Sequence, residues 1–179
     1  REMFRTSSRE VDIDEAWVYG ITRQESRFMH YAKSGVGASG LMQLMPATAK
    51  WVAQRKGLRS YNNSMIHDLT TNIDFGTYYM RYALDLMNGN AVMATAGYNA
   101  GPSRAKKWMA AKPLEAAIYI ESIPFLETRQ YVQKVMANAQ MYAPRLLEKN
   151  SGVKIQTLKA RLGIVPGSGQ SVVYDEENE

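Results

Sequence analysis

The chain has 179 residues, 45% hydrophobic and 22% charged. That is ordinary globular composition with enough apolar material for one compact core, and it argues against intrinsic disorder. Cysteine is absent, which removes disulfides, thiolate zinc sites and cysteine nucleophiles together. Lys and Arg outnumber Asp and Glu by 22 to 17, and four of those acids sit in the last five residues. The rest is therefore more basic than the net charge of +5 implies, and it suits an anionic partner.

No apolar run approaches the roughly 18 residues of a membrane-spanning helix. The chain opens on Arg1-Glu2-Met3-Phe4-Arg5, with neither an initiator Met nor the basic start and apolar stretch of a secretory leader, so a mature protein or a piece of a longer one is expected. From Asp14 to Phe28, Trp17, Ile21 and Phe28 repeat on one helical face, with Asp12 or Asp14 as cap. The glycine-rich stretch 34–40 reads as an ordered loop or tight hairpin, and Pro46 as the start of the next helix. Residues 59–71 are polar and turn-rich. Asn72 reads as the N-cap of a helix carrying Ile73, Met80, Ala83, Leu84 and Met87, which Asn88-Gly89-Asn90 ends. Ala91 to Tyr98 reads as a short apolar helix broken by Asn99-Ala100-Gly101-Pro102, and Pro102 opens a basic helix through Trp108. A helical pattern from Leu114 to Glu121 stops at Ile123-Pro124, and the last strong helix runs from about Glu127 to Tyr142 with Tyr131, Val132, Val135, Met136 and Ala139 inward. Beyond Pro144 one short helix is expected within Lys154–Leu162. Residues 165–169 then read as linker and the acidic end as mobile. The fold class is mainly α, with at most a very short β hairpin.

Glu25 is the most informative residue. It lies four after Ile21 and eight after Trp17, on the apolar face of its own helix. A carboxyl there is desolvated, its pKa rises, and it gains the protonation a general acid needs near neutral pH. A buried Glu satisfied by an Arg or by backbone donors fits the same pattern. Gly40-Leu41-Met42-Gln43-Leu44-Met45-Pro46 reads either as a core segment entering a helix or as a cleft wall on which Gln43 offers donor and acceptor. Tyr98-Asn99-Ala100-Gly101-Pro102 is a helix C-cap or a polar pair beside a carboxylate. Glu121, Glu127 and Arg129 surround Ile123-Pro124-Phe125, and Glu127 also suits a helix N-terminus. His30 and His67 are too isolated for a metal site, and two histidines without a Gly-x-Ser-x-Gly elbow make a poor serine triad. No metal or cofactor is expected.

Taken in order, Arg23-Gln24-Glu25-Ser26, Gly40 to Pro46, Tyr98 to Pro102, and Ile123-Pro124-Phe125 through Glu127-Thr128-Arg129 to Tyr131-Val132 resemble the soluble lytic murein transglycosylases, relatives of goose-type lysozyme. The resemblance covers about Trp17 to Tyr142. It implies a lysozyme-like helical domain with a glycan cleft over residues 1–144, followed by a C-terminal extension, 145–179. By motif match Glu25 is the single catalytic acid and base, and Tyr98 holds its carboxylate, helped by the turn at Asn99. Ser34, Gly40, Gln43 and Met45 line sugar subsites, Glu127 contacts substrate from the opposite wall, and Glu121 matches the pattern. The implied partner is the peptidoglycan glycan strand and the implied location the periplasm. The family's N-terminal helical superhelix is missing from this chain, so a C-terminal catalytic fragment or processed product is expected.

Ordinary glycosidases pair two carboxylates about 5–10 Å apart. The resemblance implies one, with the substrate supplying the rest: its N-acetyl oxygen stabilises the anomeric cation and its own 6-hydroxyl closes a 1,6-anhydro ring. A true hydrolase needs a second acid, for which Asp68, Asp74 and Asp85 are the candidates. A non-catalytic polyanion binder would explain the basic face of Lys33, Arg104, Lys106 and Lys107 but not the position of Glu25. It also calls for an aromatic or basic stripe that does not stand out, so nucleic acid is not an expected partner.

Overall fold

The computed structural model describes residues 1–147 and 154–169, which are mainly helical. Helix α1 spans Glu2–Glu10 and α2 spans Glu15–Ser26. Of the two expected caps it is Asp14 that serves α2, accepting from the Ala16 amide at 2.8 Å. The helix ends at Ser26 because Arg27 and Phe28 both turn left-handed, with φ of 52° and 66°. Phe28 is therefore not on α2, as its spacing predicts. Its ring instead joins an aromatic group with Phe4, Tyr19 and Tyr142.

The glycine-rich stretch is an ordered loop held by isolated bridges, Lys33 to Ser39 and Ser39 to Leu44. Helix α3 (Pro46–Arg55) opens on its proline, as expected. A 3₁₀ turn over Asn63–His67 leads into α4 (Leu69–Leu86). The cap of α4 is Asp68, whose carboxylate accepts from the Thr71 amide at 2.8 Å. Asn72 lies inside the helix and is buried, so its reading as a cap is corrected. Asn90 caps α5 (Ala91–Ala100), which runs two residues past Tyr98 and takes in Asn99. Helix α6 covers Pro102–Lys107.

Strand β1 (Leu114–Glu115) precedes α7 (Ala116–Ser122), so the first two residues of that expected helix are extended. Helix α8 (Leu126–Leu146) contains Pro144, which removes one backbone donor without ending the helix. Helix α9 (Leu158–Leu162) leads to strand β2 (Ile164–Val165), which pairs antiparallel with β1. The expected linker at 165–169 is docked: Val165 is buried, and the Ser168 amide donates to the Ala110 carbonyl at 2.8 Å. Residues 170–179, the acidic end, lie outside the described residues.

The core centres on α2 laid against α8, with Val18, Ile21, Val132 and Val135 all fully buried in it. Fully burying one such side chain stabilises the fold by about 1.5–3 kcal/mol. Gly20 permits the close approach, because a Cβ there would stand 2.6 Å from the Val135 carbonyl oxygen. Trp17 donates its indole N–H to Thr95 Oγ1 at 2.9 Å, tying α2 to α5. A smaller apolar cluster of Leu44, Ala49, Val52, Ile66 and Phe75 lies under α3. Together these fix the end of α2 relative to α8, α5 and the glycine-rich loop.

Candidate active site

Glu25 sits in the last turn of α2, half-buried. Tyr131, on the inward face of α8, donates its hydroxyl to Glu25 Oε1 at 2.6 Å. Burial pushes the Glu25 carboxyl up to about 7, and the Tyr131 hydrogen bond, the smaller of the two causes, pulls the other way. Among the described residues no Lys or Arg forms an ion pair with it. A structural ion pair would have lowered the pKa, whereas desolvation with one neutral donor raises it. At neutral pH both protonation states are populated, as a group that first gives and then takes a proton requires.

The contact expected of Tyr98 is made by Tyr131. Tyr98, from α5, lies close enough to Glu25 for the carboxylate to raise its own pKa, after burial as the larger cause. Its hydroxyl donates instead to the Met42 carbonyl at 2.9 Å. The reason is direction: the ring leaves α5 toward the loop, while Tyr131 reaches Glu25 across the α2–α8 interface. Tyr131 reads from sequence as one member of an apolar stripe and falls in the last matching run without a role assigned to it; the cost of burying a phenol hydroxyl without a partner is the physical signal that could have found it.

The loop wall is built around Met42. Its amide donates to Asn72 Oδ1 at 2.9 Å, and Asn72 Nδ2 donates to the carbonyls of Ser39 and Ile66, each at 2.9 Å. Three bonds thus occupy this buried side-chain amide. Gly40, at φ 79°, passes so close that a Cβ would stand 2.3 Å from Asn72 Nδ2. Gln43, left-handed at φ 46°, donates to the carbonyls of Ala32 and Gly40 at 2.9 and 2.8 Å. Ser34 Oγ accepts from the Ala38 amide at 2.9 Å, and Met45 is exposed where α3 begins.

On the other side, Thr128 donates to Asn99 Oδ1 at 2.8 Å, tying the end of α5 to the first turn of α8, where Glu127 is exposed. Glu121 is set apart. Its carboxylate accepts from Gln133 at 2.7 Å, and Gln133 lies two residues beyond Tyr131, nearly opposite it around α8. The three acids considered for a hydrolase are engaged elsewhere. Asp68 caps α4, Asp74 pairs with Lys56 at 2.5 Å, and Asp85 pairs with Arg81. Among the described residues no second carboxylate shifts the titration of Glu25 or Tyr131 or hydrogen-bonds to either.

Residues 2–119 match the profile of the transglycosylase SLT domain. This chain belongs to that family. Residues 122–150 match a second SLT profile, the soluble lytic transglycosylase helical domain. The soluble lytic murein transglycosylase of Salmonella typhimurium is 39% identical over 144 residues, covering 79% of this chain and 22% of that protein. Its Escherichia coli K12 counterpart is 38% identical with the same coverage. Among solved structures, an inactive mutant of lytic transglycosylase Slt from Pseudomonas aeruginosa superposes with TM-score 0.79 and 41% identity, over 82% of this chain and 24% of that one. A 70-kDa soluble lytic transglycosylase in complex with bulgecin A superposes with TM-score 0.77 and 32% identity, over 89% and 26%. The SLT chain described here thus spans about a fifth of the length of the curated relatives it matches.

Proposed function

We propose that this SLT domain is the catalytic unit of a peptidoglycan lytic transglycosylase acting in the periplasm. The observation that carries the reading is a lone carboxyl raised to about 7, contacted by a neutral phenol. In the reaction, protonated Glu25 gives its proton to the oxygen linking N-acetylmuramic acid to N-acetylglucosamine, and the C1–O bond breaks. The muramoyl N-acetyl oxygen stabilises the developing cation at C1. The Glu25 carboxylate then takes the proton of the 6-hydroxyl as O6 bonds to C1, closing the 1,6-anhydro ring. Glu25 ends protonated as it began, and no water is consumed.

Tyr131 holds the carboxyl in register. Tyr98 holds the loop whose Ser34, Gly40, Gln43 and Met45 line the sugar subsites, with Asn99 and Glu127 on the opposite wall. Glu121, engaged on the far side of α8, has no part in this scheme. The catalytic unit is residues 1–144 with 145–179 as an extension. In the intact protein the partners are the glycan strand and an N-terminal helical superhelix, consistent with relatives that are several times longer. Hydrolysis is disfavoured because each acid proposed to activate water is engaged elsewhere.

The test is Glu25→Gln acting on purified sacculi. The amide accepts the Tyr131 hydrogen bond but has no labile proton to give, so release of soluble muropeptides should fall about 10³-fold or more with glycan binding retained. Substantial residual turnover would overturn the assignment.

A further inference from the structure

Residues 156–168 are fastened at both ends and play no part in the scheme above. At one end the Arg161 side chain is buried, its guanidinium pairs with Asp14, the cap of α2, and its Nε donates to Gln140 Oε1 on α8 at 3.1 Å. Gln140 Nε2 returns a bond to the Gln156 carbonyl at 2.9 Å. At the other end the segment closes over the connection between α6 and α7. There β2 pairs with β1, the Gly163 carbonyl accepts from the Ala116 amide at 3.1 Å, and the Ser168 amide donates to the Ala110 carbonyl at 2.8 Å. Val165 is buried, and Gly167 lies so near that a Cβ would stand 2.6 Å from the Ala111 carbonyl oxygen. Asn90, whose Oδ1 caps α5, gives its Nδ2 to the Ile164 carbonyl at 3.0 Å.

What these bonds hold leads to the wall opposite the loop. Tyr119 on α7 donates its hydroxyl to the Ala105 carbonyl on α6 at 2.9 Å, so the helices on either side of the held connection are themselves joined. Arg104 and Trp108, at the α6 end, each lie 5.4 Å from the exposed ring of Phe125. Phe125 is the residue from which α8 starts, two before Glu127. The acid is held separately: among the described residues the partners of Glu25, Tyr98 and Tyr131 all lie outside 156–168.

We propose that residues 156–168 are a positioning strap for the substrate. By tying the cap of the acid's helix to the α6–α7 connection, they set the opposite wall at the spacing a glycan strand needs. A wall that is ordered in advance leaves the strand's binding energy whole, whereas a loose wall must be ordered by the strand as it binds. The strap therefore acts on affinity and leaves proton transfer at Glu25 alone, because the acid owes its environment to the α2–α8 interface. Val165 and Gly167 are its positioning residues on the wall side. This rests on the reading of the cleft as a glycan site and adds to it a role for the extension.

Two variants of the full chain loosen the strap, Gly167→Val by crowding the Ala111 carbonyl and Val165→Asp by burying a charge. Each should raise KM for soluble glycan strands about tenfold with kcat within about twofold of the parent. The alkaline limb of the pH–rate profile should stay near 7. An unchanged KM in both overturns the proposal, as does a moved limb or a loss confined to kcat. A covalent tie supplies the rescue. Glu115 and Ile164 are exposed and face each other in β1 and β2. The Ala116–Gly163 bond makes theirs the closer, non-hydrogen-bonded kind of pair, and the chain has no cysteine of its own. Glu115→Cys with Ile164→Cys, added to Gly167→Val, should recover the parent KM when oxidised and lose it again when reduced. Failure to recover on oxidation overturns the proposal. Strand affinity of the same chains is measured by binding alone. If strands bind uncleaved and oxidation still tightens them, the catalytic reading fails and the strap stands.

Discussion

The two walls around Glu25 are held by opposite means. On the α2–α8 side the polar partners are few: the carboxyl receives one hydrogen bond, from Tyr131, and is otherwise surrounded by packing. On the loop side the polar partners are many. The Met42 amide and carbonyl, the Ser39 carbonyl and the Gln43 side chain all have partners at 2.8–2.9 Å. The difference follows from what each wall has to do. A carboxyl that is to give a proton near neutral pH must be deprived of charge-stabilising donors, and helix packing does that. A loop that is to keep one shape under a ligand must have its backbone satisfied. Tyr98 joins the two, its hydroxyl on the loop and its ring beside the acid.

The largest effect expected from breaking the contrast is on the loop. Asn72→Ala strands one donor and two acceptors in the interior, so it should lower stability by about 4 kcal/mol and raise KM more than it lowers kcat. Urea unfolding and steady-state kinetics on soluble glycan strands check both halves.

On the acid's side the sign reverses. The folded pKa of Glu25, about 7, lies above its ordinary value of 4.5. The native state therefore holds this proton more tightly than the unfolded chain does, and its stability falls as pH rises through that window. Glu25→Gln removes the penalty. It should be more stable than the parent by roughly 3 kcal/mol at pH 8, with the gap closed below about pH 4. Equal stability at pH 8 would mean that the carboxyl is not deprived at all.

A smaller effect sharpens the role of Tyr131. Its hydroxyl favours the charged carboxylate, so Tyr131→Phe should move the alkaline limb of the pH–rate profile upward from about 7, by about one unit. It should also cost about tenfold in kcat through lost orientation. A limb that stays in place would reduce Tyr131 to packing. Smallest of all is Glu121→Gln: held by Gln133 on the outer side of α8, it should leave turnover within about twofold of the parent when assayed on the same strands.

Much of this was legible in the residues, for definite reasons. Asp14 and Pro46 are local signals, read from a few neighbours, and each does in the fold what its type does at a helix start; Asn90, read only as the end of one helix, also caps the next. Glu25 was legible because a carboxyl on an apolar stripe is a contradiction that the fold has to resolve. The role of Tyr131, though the residue falls in a matching run, was hidden for the converse reason: a tyrosine on such a stripe contradicts nothing, and its partner is 106 residues away. Asn72 was misread because a polar residue ahead of an apolar run looks like a cap, and only the loop folding back over α4 shows what its amide is for. The segment 165–169 has linker composition, yet Val165 pairs with Leu114 and the Ser168 amide donates to the Ala110 carbonyl, and no short-range pattern carries those contacts.

The central claim is that one deprived carboxyl does the chemistry and the substrate supplies the nucleophile. Mass spectrometry of the soluble fragments released from purified sacculi tests it most directly. The account predicts muropeptides one water lighter than the hydrolytic product, each ending in a 1,6-anhydro ring. Fragments at the hydrated mass would contradict it, because water would then be the nucleophile and a second acid would have to be found near Glu25.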